Sequence, residues 1–315
     1  MPQSYNRFLR PIAFILVFFM TFNLVGLSVA QASVGDIMRN AEKKKEVIKA
    51  QVGELPNKLP QSRMELKSKR TKYSTRYLNP DGSFTEEIFL EPKFYQDPQD
   101  KEWKEINNNL KASTNRVEKF ENRANEFKTI FAQGSGQAEV AAIEKNNQRV
   151  AFIPVGAKKV TGNVKDNKIT YQNIYAHTDI RYQAKGAGIK EDIILNQYTG
   201  QNTFTFEVKL QGLEAKQEDN GMIYLVNQQG EKLWYFEKPY MVDANGKHST
   251  KVELKLRKEA GKVYVDVVAD KSFLEDSATK YPVTIDPTIN NWNVMRDTFV
   301  ASSFPDSSYS SLNDM

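Results

Sequence analysis

Carboxylates are the most plentiful reactive side chains in this sequence, and they set the first question. The 315-residue chain holds 39 acidic residues, against two histidines and no cysteine. Asp97 and Asp100, Glu191 and Asp192, Asp286 and Asp297 are the acids whose placement invites a chemical reading. A glycosidase needs two carboxyl groups at a fixed separation on opposite sides of a sugar ring. Spacing along the chain establishes no such pair here. Glu191 and Asp192 are neighbours on an expected strand, so their side chains diverge to opposite faces. The segments NPDGS (79–83), DPQDK (97–101) and DANGK (243–247) suggest calcium loops. None has alternating Asp/Asn ligands closing on a glutamate, so hairpin turns built on Asx chemistry are expected and calcium has no support.

Other reactive groups are scarcer. His177 and His248 form neither an HExxH pattern nor an i,i+4 pair. Without cysteine there is no thiolate nucleophile, no disulfide and no thiolate zinc site. No GxSxG elbow occurs, and Gly134-Ser135-Gly136 reads as loop. The Gly186–Gly188 stretch opens no helix, which removes a phosphate cradle. No catalytic, cofactor-binding or metal-binding residue is nominated, and the chain is expected not to be an enzyme. Flat aromatic rings could stack on sugars. Trp103, Trp234, Tyr240 and Trp292 are the carbohydrate-contact candidates, each set against ordinary packing in a sheet core.

The elements that would position these groups are strands. Thr203–Leu210 (TFTFEVKL), Lys251–Arg257 (KVELKLR) and Lys262–Val268 (KVYVDVV) alternate apolar and polar residues with period two. Such alternation puts one face on a core and the other in water. Shorter strands are expected at Tyr73–Leu78, Phe84–Phe89, Trp103–Ile106, Phe127–Phe131, Val150–Ile153, Ile169–Tyr171, Ile180–Tyr182, Ile189–Leu195, Met222–Val226, Lys232–Phe236 and Pro282–Ile285. Asp81-Gly82, Asn220-Gly221, Gln229-Gly230 and Asn245-Gly246 mark turns, expected as type I′ with φ > 0 at both central residues. Many short strands without alternating helices predict an all-β, antiparallel sandwich-type architecture, as one large or two packed sub-regions. Residues 111–148 stay ambiguous, with Ala138–Glu144 open to a short helix or an edge strand. Ser33–Val52 is expected as a helix and Glu54–Gln61 as a linker carrying two prolines.

The first residues resemble an export signal. Arg7 and Arg10 precede an apolar run from Ile12 to Leu27, and Ala30 and Ala32 occupy the positions a signal peptidase reads. The run of about 16 residues is short for a hydrocarbon core of about 30 Å. Cleavage after Ala32 is therefore expected over membrane retention, and the chain is expected to be secreted, extracellular or cell-wall-associated. Net charge is +5, and loss of the two leader arginines leaves +3. The basic residues form no single stripe beyond 43–45 and 67–72, which disfavours nucleic acid as a partner. A wall polymer or glycan is the partner class left open.

Several stretches occur in a telling order: TRYLNPDGSFT (75–85), ITYQNIYAHTDIRYQAKGAGIKEDIIL (169–195), GMIYLVNQQG (221–230), PYMVDANGKHS (239–249), KYPVTIDPT (280–288) and DTFVASSFPDSSY (297–309). This series resembles the N-terminal region of bacterial wall-associated YD-repeat (WapA-like, Rhs-related) proteins. Its last stretch is similar to the opening of a DNRLRE module. The resemblance implies an exported region ahead of wall-binding modules, repeats and a variable effector. It brings no catalytic residues, since the chain has neither YD repeats nor a toxin domain. The expected plan is a signal peptide (1–32), a helix and linker (33–68), a β-sandwich region (69–290, with a sub-boundary near 134) and the truncated start of a further β-module (291–315). The expected function is a non-enzymatic secreted or wall-associated region of a larger surface protein, serving display or wall attachment of C-terminal repeats or an effector. The alternative is a free-standing carbohydrate-binding module or carbohydrate-active enzyme.

Overall fold

A computed structural model describes residues 58–136 and 139–291, together with Arg39, Glu42 and Lys43. The expected signal peptide with Ala30 and Ala32, almost all of the expected Ser33–Val52 helix, and the 292–315 segment lie outside the described residues. The chain divides into two units at Ile106/Asn107. The expected sub-boundary near Gly134 is not where the division falls. Gly134 is bridged to Thr161 inside the second unit.

The first unit is small. Met64–Glu65 (β1), Ser74–Leu78 (β2) and Phe84–Ile88 (β3) form an antiparallel sheet in that order. Phe94–Gln96 (β4) and Trp103–Glu105 (β5) make a separate hairpin. Leu66 and Leu78 are buried with Met64 and Phe84 against them. Arg70 ties the two pieces. Its guanidinium donates to both Glu65 oxygens at 2.7 and 2.9 Å and to the Trp103 carbonyl at 3.1 Å, and it lies 4.4 Å from the centre of the Phe94 ring. A planar fork with five donors can satisfy all of these at once.

The second unit is a two-sheet sandwich. Its strands run Asn107–Ala112 (β6), Lys119–Ala124 (β7), Lys128–Ala132 (β8), Ala141–Lys145 (β9), Gln148–Pro154 (β10), Gly162–Lys165 (β11), Lys168–Tyr175 (β12), Thr178–Ala184 (β13), Gly188–Leu195 (β14), Thr203–Gln211 (β15), Glu214–Gln217 (β16), Ile223–Val226 (β17), Lys232–Phe236 (β18), Tyr240–Val242 (β19), His248–Ser249 (β20), Val252–Glu259 (β21), Lys262–Ala269 (β22), Val283–Asp286 (β23) and Ile289–Asn291 (β24). One short helix, Lys271–Glu275 (α1), is capped by Asp270, whose side chain accepts from the Ser272 amide. One sheet has eight strands in the order β21-β22-β15-β10-β9-β8-β7-β6. The other runs β11-β12-β13-β14-β24-β18-β17-β16, with β23 beside β14 and β19 and β20 beyond it. Every described pairing is antiparallel, as the alternating pattern predicts.

Side chains of the two inner faces share one core. From the eight-stranded sheet come Phe131, Ile143, Val150, Phe152, Phe204, Phe206 and Val265; from the other come Ile169, Tyr171, Ile180, Tyr182, Ile193, Leu225, Trp234 and Phe236. Aromatic pairs couple the layers. Phe127 meets Trp234 edge-on at 5.3 Å, Phe131 stacks on Tyr182 at 5.9 Å, and Phe152 meets Phe236 edge-on at 6.1 Å. Each such pair adds about 0.5–1.5 kcal/mol beyond its buried area. On the outer face of the eight-stranded sheet, Ile130, Ala142 and Ala151 form a small apolar spot. A chain of ion pairs crosses that face, Arg116–Glu144 at 2.5 Å, Glu144–Arg149 at 2.9 Å and Arg149–Glu139 at 2.5 Å.

The turns differ from expectation in an instructive way. In four of them only the glycine has positive φ: Gly82, Gly221, Gly230 and Gly246. In each, the glycine amide donates to the carbonyl three residues earlier, at Asn79, Glu218, Asn227 and Asp243. Those same four residues each donate their own amide to the carbonyl just after the glycine. That is a type I turn followed by a left-handed glycine, not a type I′ turn. Both central residues have φ > 0 at Ala260-Gly261, between β21 and β22.

The two sheet edges also meet. The Gln217 amide on β16 donates to the Leu254 carbonyl at 2.7 Å and accepts from the Leu256 amide at 3.0 Å. A side-chain amide here supplies the donor–acceptor pair that a neighbouring strand would present.

Candidate functional site

The densest cluster of titratable groups lies on β13, β14, β19 and β23. Strand β14 reads Lys190-Glu191-Asp192, and alternation sends the middle residue inward and its neighbours outward. The predicted divergence of Glu191 and Asp192 is therefore present in the fold. Inward, Glu191 faces Tyr182 across the β13–β14 ladder, and the tyrosine hydroxyl donates to Glu191 Oε1 at 2.8 Å. Burial pushes the Glu191 carboxyl up to about 8. The Tyr182 hydrogen bond opposes the rise, and the nearby Asp286 and Asp192 charges add to it. Tyr182 itself is held well above its ordinary value, first by burial and then by Glu191.

The outward side is an ion-pair network. Arg181 donates to Asp192 Oδ2 from Nε at 2.9 Å and from Nη2 at 2.7 Å. Lys190 Nζ lies 3.1 Å from Asp192 Oδ1 and contacts Asp286 Oδ2. The Thr288 hydroxyl donates to Asp286 Oδ1. Asp192 and Asp286 side chains are only 3% and 7% exposed, while Lys190 is 24% exposed. Ile193 pairs with Ile285, so one step along the ladder brings Asp192 and Asp286 onto the same face. Two buried carboxylates facing each other repel, and Lys190 between them makes the arrangement tenable. Burial lowers the Lys190 value, but Asp286 and Asp192 outweigh it and the net shift is upward. Tyr240 lies over this group, with its ring centre 5.9 Å from Lys190 Nζ, and stacks on His248 at 5.3 Å.

Three clefts lie elsewhere, around strand β16. One of about 440 Å³ is lined by Gly212, Glu214, Lys216 and Asn227–Gly230. A second of about 210 Å³ lies beside Gln217, Met222, Phe236, Glu237 and Val252. A third of about 450 Å³ runs along Glu207, Lys209, Glu214, Lys258 and Lys262. No described cleft contains Glu191, so the raised carboxyl is not presented to a substrate through any of them. Among the described residues no group of three or more His, Cys, Asp or Glu could hold a metal ion.

The aromatic candidates scatter. Trp234 is 2% exposed and packed edge-on against Phe127, so neither ring face is open to a sugar. Trp103 is half-buried in the first unit, on β5. Tyr240 is half-buried beside the ion-pair network. Trp292 lies outside the described residues. Asp97 and Asp100 both pair with Lys104 at 2.7 Å, and Asp297 lies outside the described residues. Sequence reading missed the Lys190–Asp286 contact. The two residues are 96 apart along the chain, and only the β14–β23 pairing brings them together.

Fold and site together define an antiparallel two-sheet β protein with a network of buried carboxylates and a half-buried lysine in its body. The chain belongs to the family described as "Domain of unknown function (DUF7948)", whose model matches residues 47–288. It is 31% identical over 265 residues to the tRNA nuclease WapA of Bacillus subtilis (strain 168) and to the tRNA(Glu)-specific nuclease WapA of Bacillus subtilis subsp. natto (strain BEST195). Each match covers 78% of this chain and 11% of the relative, so the chain spans about a tenth of the length of those relatives. It is also 31% identical over 219 residues to the "Wall-associated protein" of Geobacillus stearothermophilus, covering 64% of this chain and 85% of that protein. No solved structure matches. These relatives overturn the expectation that the chain is not an enzyme, because proteins matched over most of its length are named as tRNA nucleases. Among the described residues no helix is long and apolar enough to cross a membrane.

Proposed function

We propose that this chain is the β-sheet portion of a wall-associated protein, and that it attaches or displays that protein at the cell wall. The protein as a whole is proposed to be a tRNA-cleaving nuclease. The observation that carries the reading is the match to a protein named as wall-associated, of which this chain covers 85%. The names of the longer relatives support the nuclease reading. A two-sheet body with one continuous core suits a rigid spacer or anchor, and a net positive charge, +5 for the whole sequence and +3 once the two leader arginines are removed, favours anionic wall polymer.

The test uses the purified full chain mixed with isolated cell walls and spun. Most of the protein is expected in the wall pellet. Recovery in the supernatant with every wall preparation would overturn attachment. Parallel incubation with tRNA, beside a full-length relative, separates the two parts of the proposal. Cleavage by the relative alone places the nuclease outside the matched region, and cleavage by this chain places it inside.

A further inference from the structure

We infer that Lys190 and Asp286 join in an intramolecular amide, an isopeptide cross-link between strands β14 and β23. The inference does not depend on the wall reading.

Three observations carry it. First, Lys190 Nζ contacts Asp286 Oδ2 across neighbouring strands, with both residues on one sheet face. Second, the carboxyl is held in place and polarised. Asp286 is 7% exposed, and Thr288 donates to its other oxygen, Oδ1. That donor is aimed at an oxygen on which charge builds when a nucleophile adds to the carboxyl carbon. Third, a separate carboxylate stands ready to carry protons. Asp192 Oδ1 lies 3.1 Å from Lys190 Nζ, while Arg181 occupies its Oδ2 with two hydrogen bonds. The fold thus supplies a nucleophile, an electrophile and a proton relay on one face. Groups pre-positioned in this way react far faster than free ones. The chain has no cysteine, so no disulfide could serve the same end.

The step balances without any co-reactant. A proton passes from the Lys190 ammonium to the Asp286 carboxylate, leaving a neutral amine and a neutral acid. The ion pair is the more populated form, since Asp286 and Asp192 outweigh the effect of burial on Lys190, and the neutral pair is the minor form that reacts. The amine lone pair adds to Asp286 Cγ, forming the C–N bond and placing charge on the oxygen held by Thr288. Asp192 accepts one proton from the nitrogen and returns it to the departing hydroxyl. The C–O bond breaks, one water leaves, and an amide remains. Nothing is oxidised or reduced. The remaining Nζ hydrogen stays on the amide and can donate to Asp192.

The test is intact-mass spectrometry of the purified full chain, followed by tryptic mapping. The expected mass is lower than the sequence requires by one water, with a branched peptide joining the segments around Lys190 and Asp286. Lys190→Ala and Asp286→Ala should each show the full mass and no branched peptide. Asp286→Asn offers a leaving amine instead of a hydroxyl, so its expected loss is one ammonia. Asp192→Asn, which keeps the shape of the relay but not its basicity, should leave a large uncross-linked fraction in freshly made protein. If the unsubstituted folded chain, with its fold checked by circular dichroism, has the full mass and unlinked Lys190 and Asp286 peptides, the inference is overturned. That outcome requires no variant to fold.

Discussion

At the scale of single residues, Glu191 is the carboxyl furthest from its ordinary behaviour. With its value near 8 against an ordinary 4.5, it keeps its proton in the folded chain at neutral pH. The unfolded chain releases that proton from about pH 4.5 upward, as an ordinary carboxyl does. Between these values the folded state binds more protons, so this group's contribution is fully present at low pH. It is lost as pH rises through about 8. The slope is at most about 1.4 kcal/mol per pH unit. Glu191→Gln should keep the Tyr182 hydrogen bond and flatten this dependence. Urea midpoints measured from pH 5 to 9 check it, and a Gln variant as pH-sensitive as the parent would refute it. Part of this was legible beforehand. Alternation alone placed Glu191 and Asp192 on opposite faces. What alternation cannot give is the partner across the ladder. Tyr182 is nine residues from Glu191 and Asp286 is 96 from Lys190, and a sequence read without pairing register treats both separations alike.

At the scale of elements, the strands with clean alternation were legible to within a residue or two. Lys232–Phe236 has the expected bounds, and Thr203–Gln211 and Lys262–Ala269 are each one residue longer than expected. Several of the strands that were not anticipated are polar on most of their length. β6 (NNNLKA) and β7 (KFENRA) lie at or next to the edge of the eight-stranded sheet. Little of such a strand meets the core, so its sequence carries no strong period. Ala141–Lys145 resolves the open choice between helix and strand in favour of a strand, and it lies inside the sheet between β8 and β10. Glycine at 188 has a reason that sequence reading did not supply. A Cβ there would sit 2.1 Å from the Ile289 carbonyl and 2.9 Å from the Asn290 Cα, where β14 approaches β24. Neither contact is a flexible side chain, so the strands themselves would have to part. Gly188→Ala should cost about 2–3 kcal/mol, in the range of an overpacked core, and lower the thermal midpoint accordingly. An alanine variant with unchanged stability would show that β24 shifts freely.

At the scale of the whole molecule, the fold class was read correctly because it needs only the period of the pattern and the absence of alternating helices. The division into units falls at Ile106/Asn107, in a run without proline or glycine, where composition gives no signal. The net charge of the chain bears on wall attachment as a whole-surface property. If anionic polymer is the partner, the fraction of protein in the wall pellet should fall several-fold between low salt and 1 M salt, where screening acts over about 3 Å. Binding that is indifferent to salt would point to shape or ring contacts instead. The position of β24 has a mechanical consequence. It lies inside its sheet, paired with β14 on one side and β18 on the other, whereas β6 pairs with β7 alone. Tension entering beyond Asn291 is shared by two ladders, while tension entering before Asn107 meets one ladder and opens it from the rim. A body tethered at both points would yield first at β6. The core strands would stay locked under loads that had already peeled the edge away.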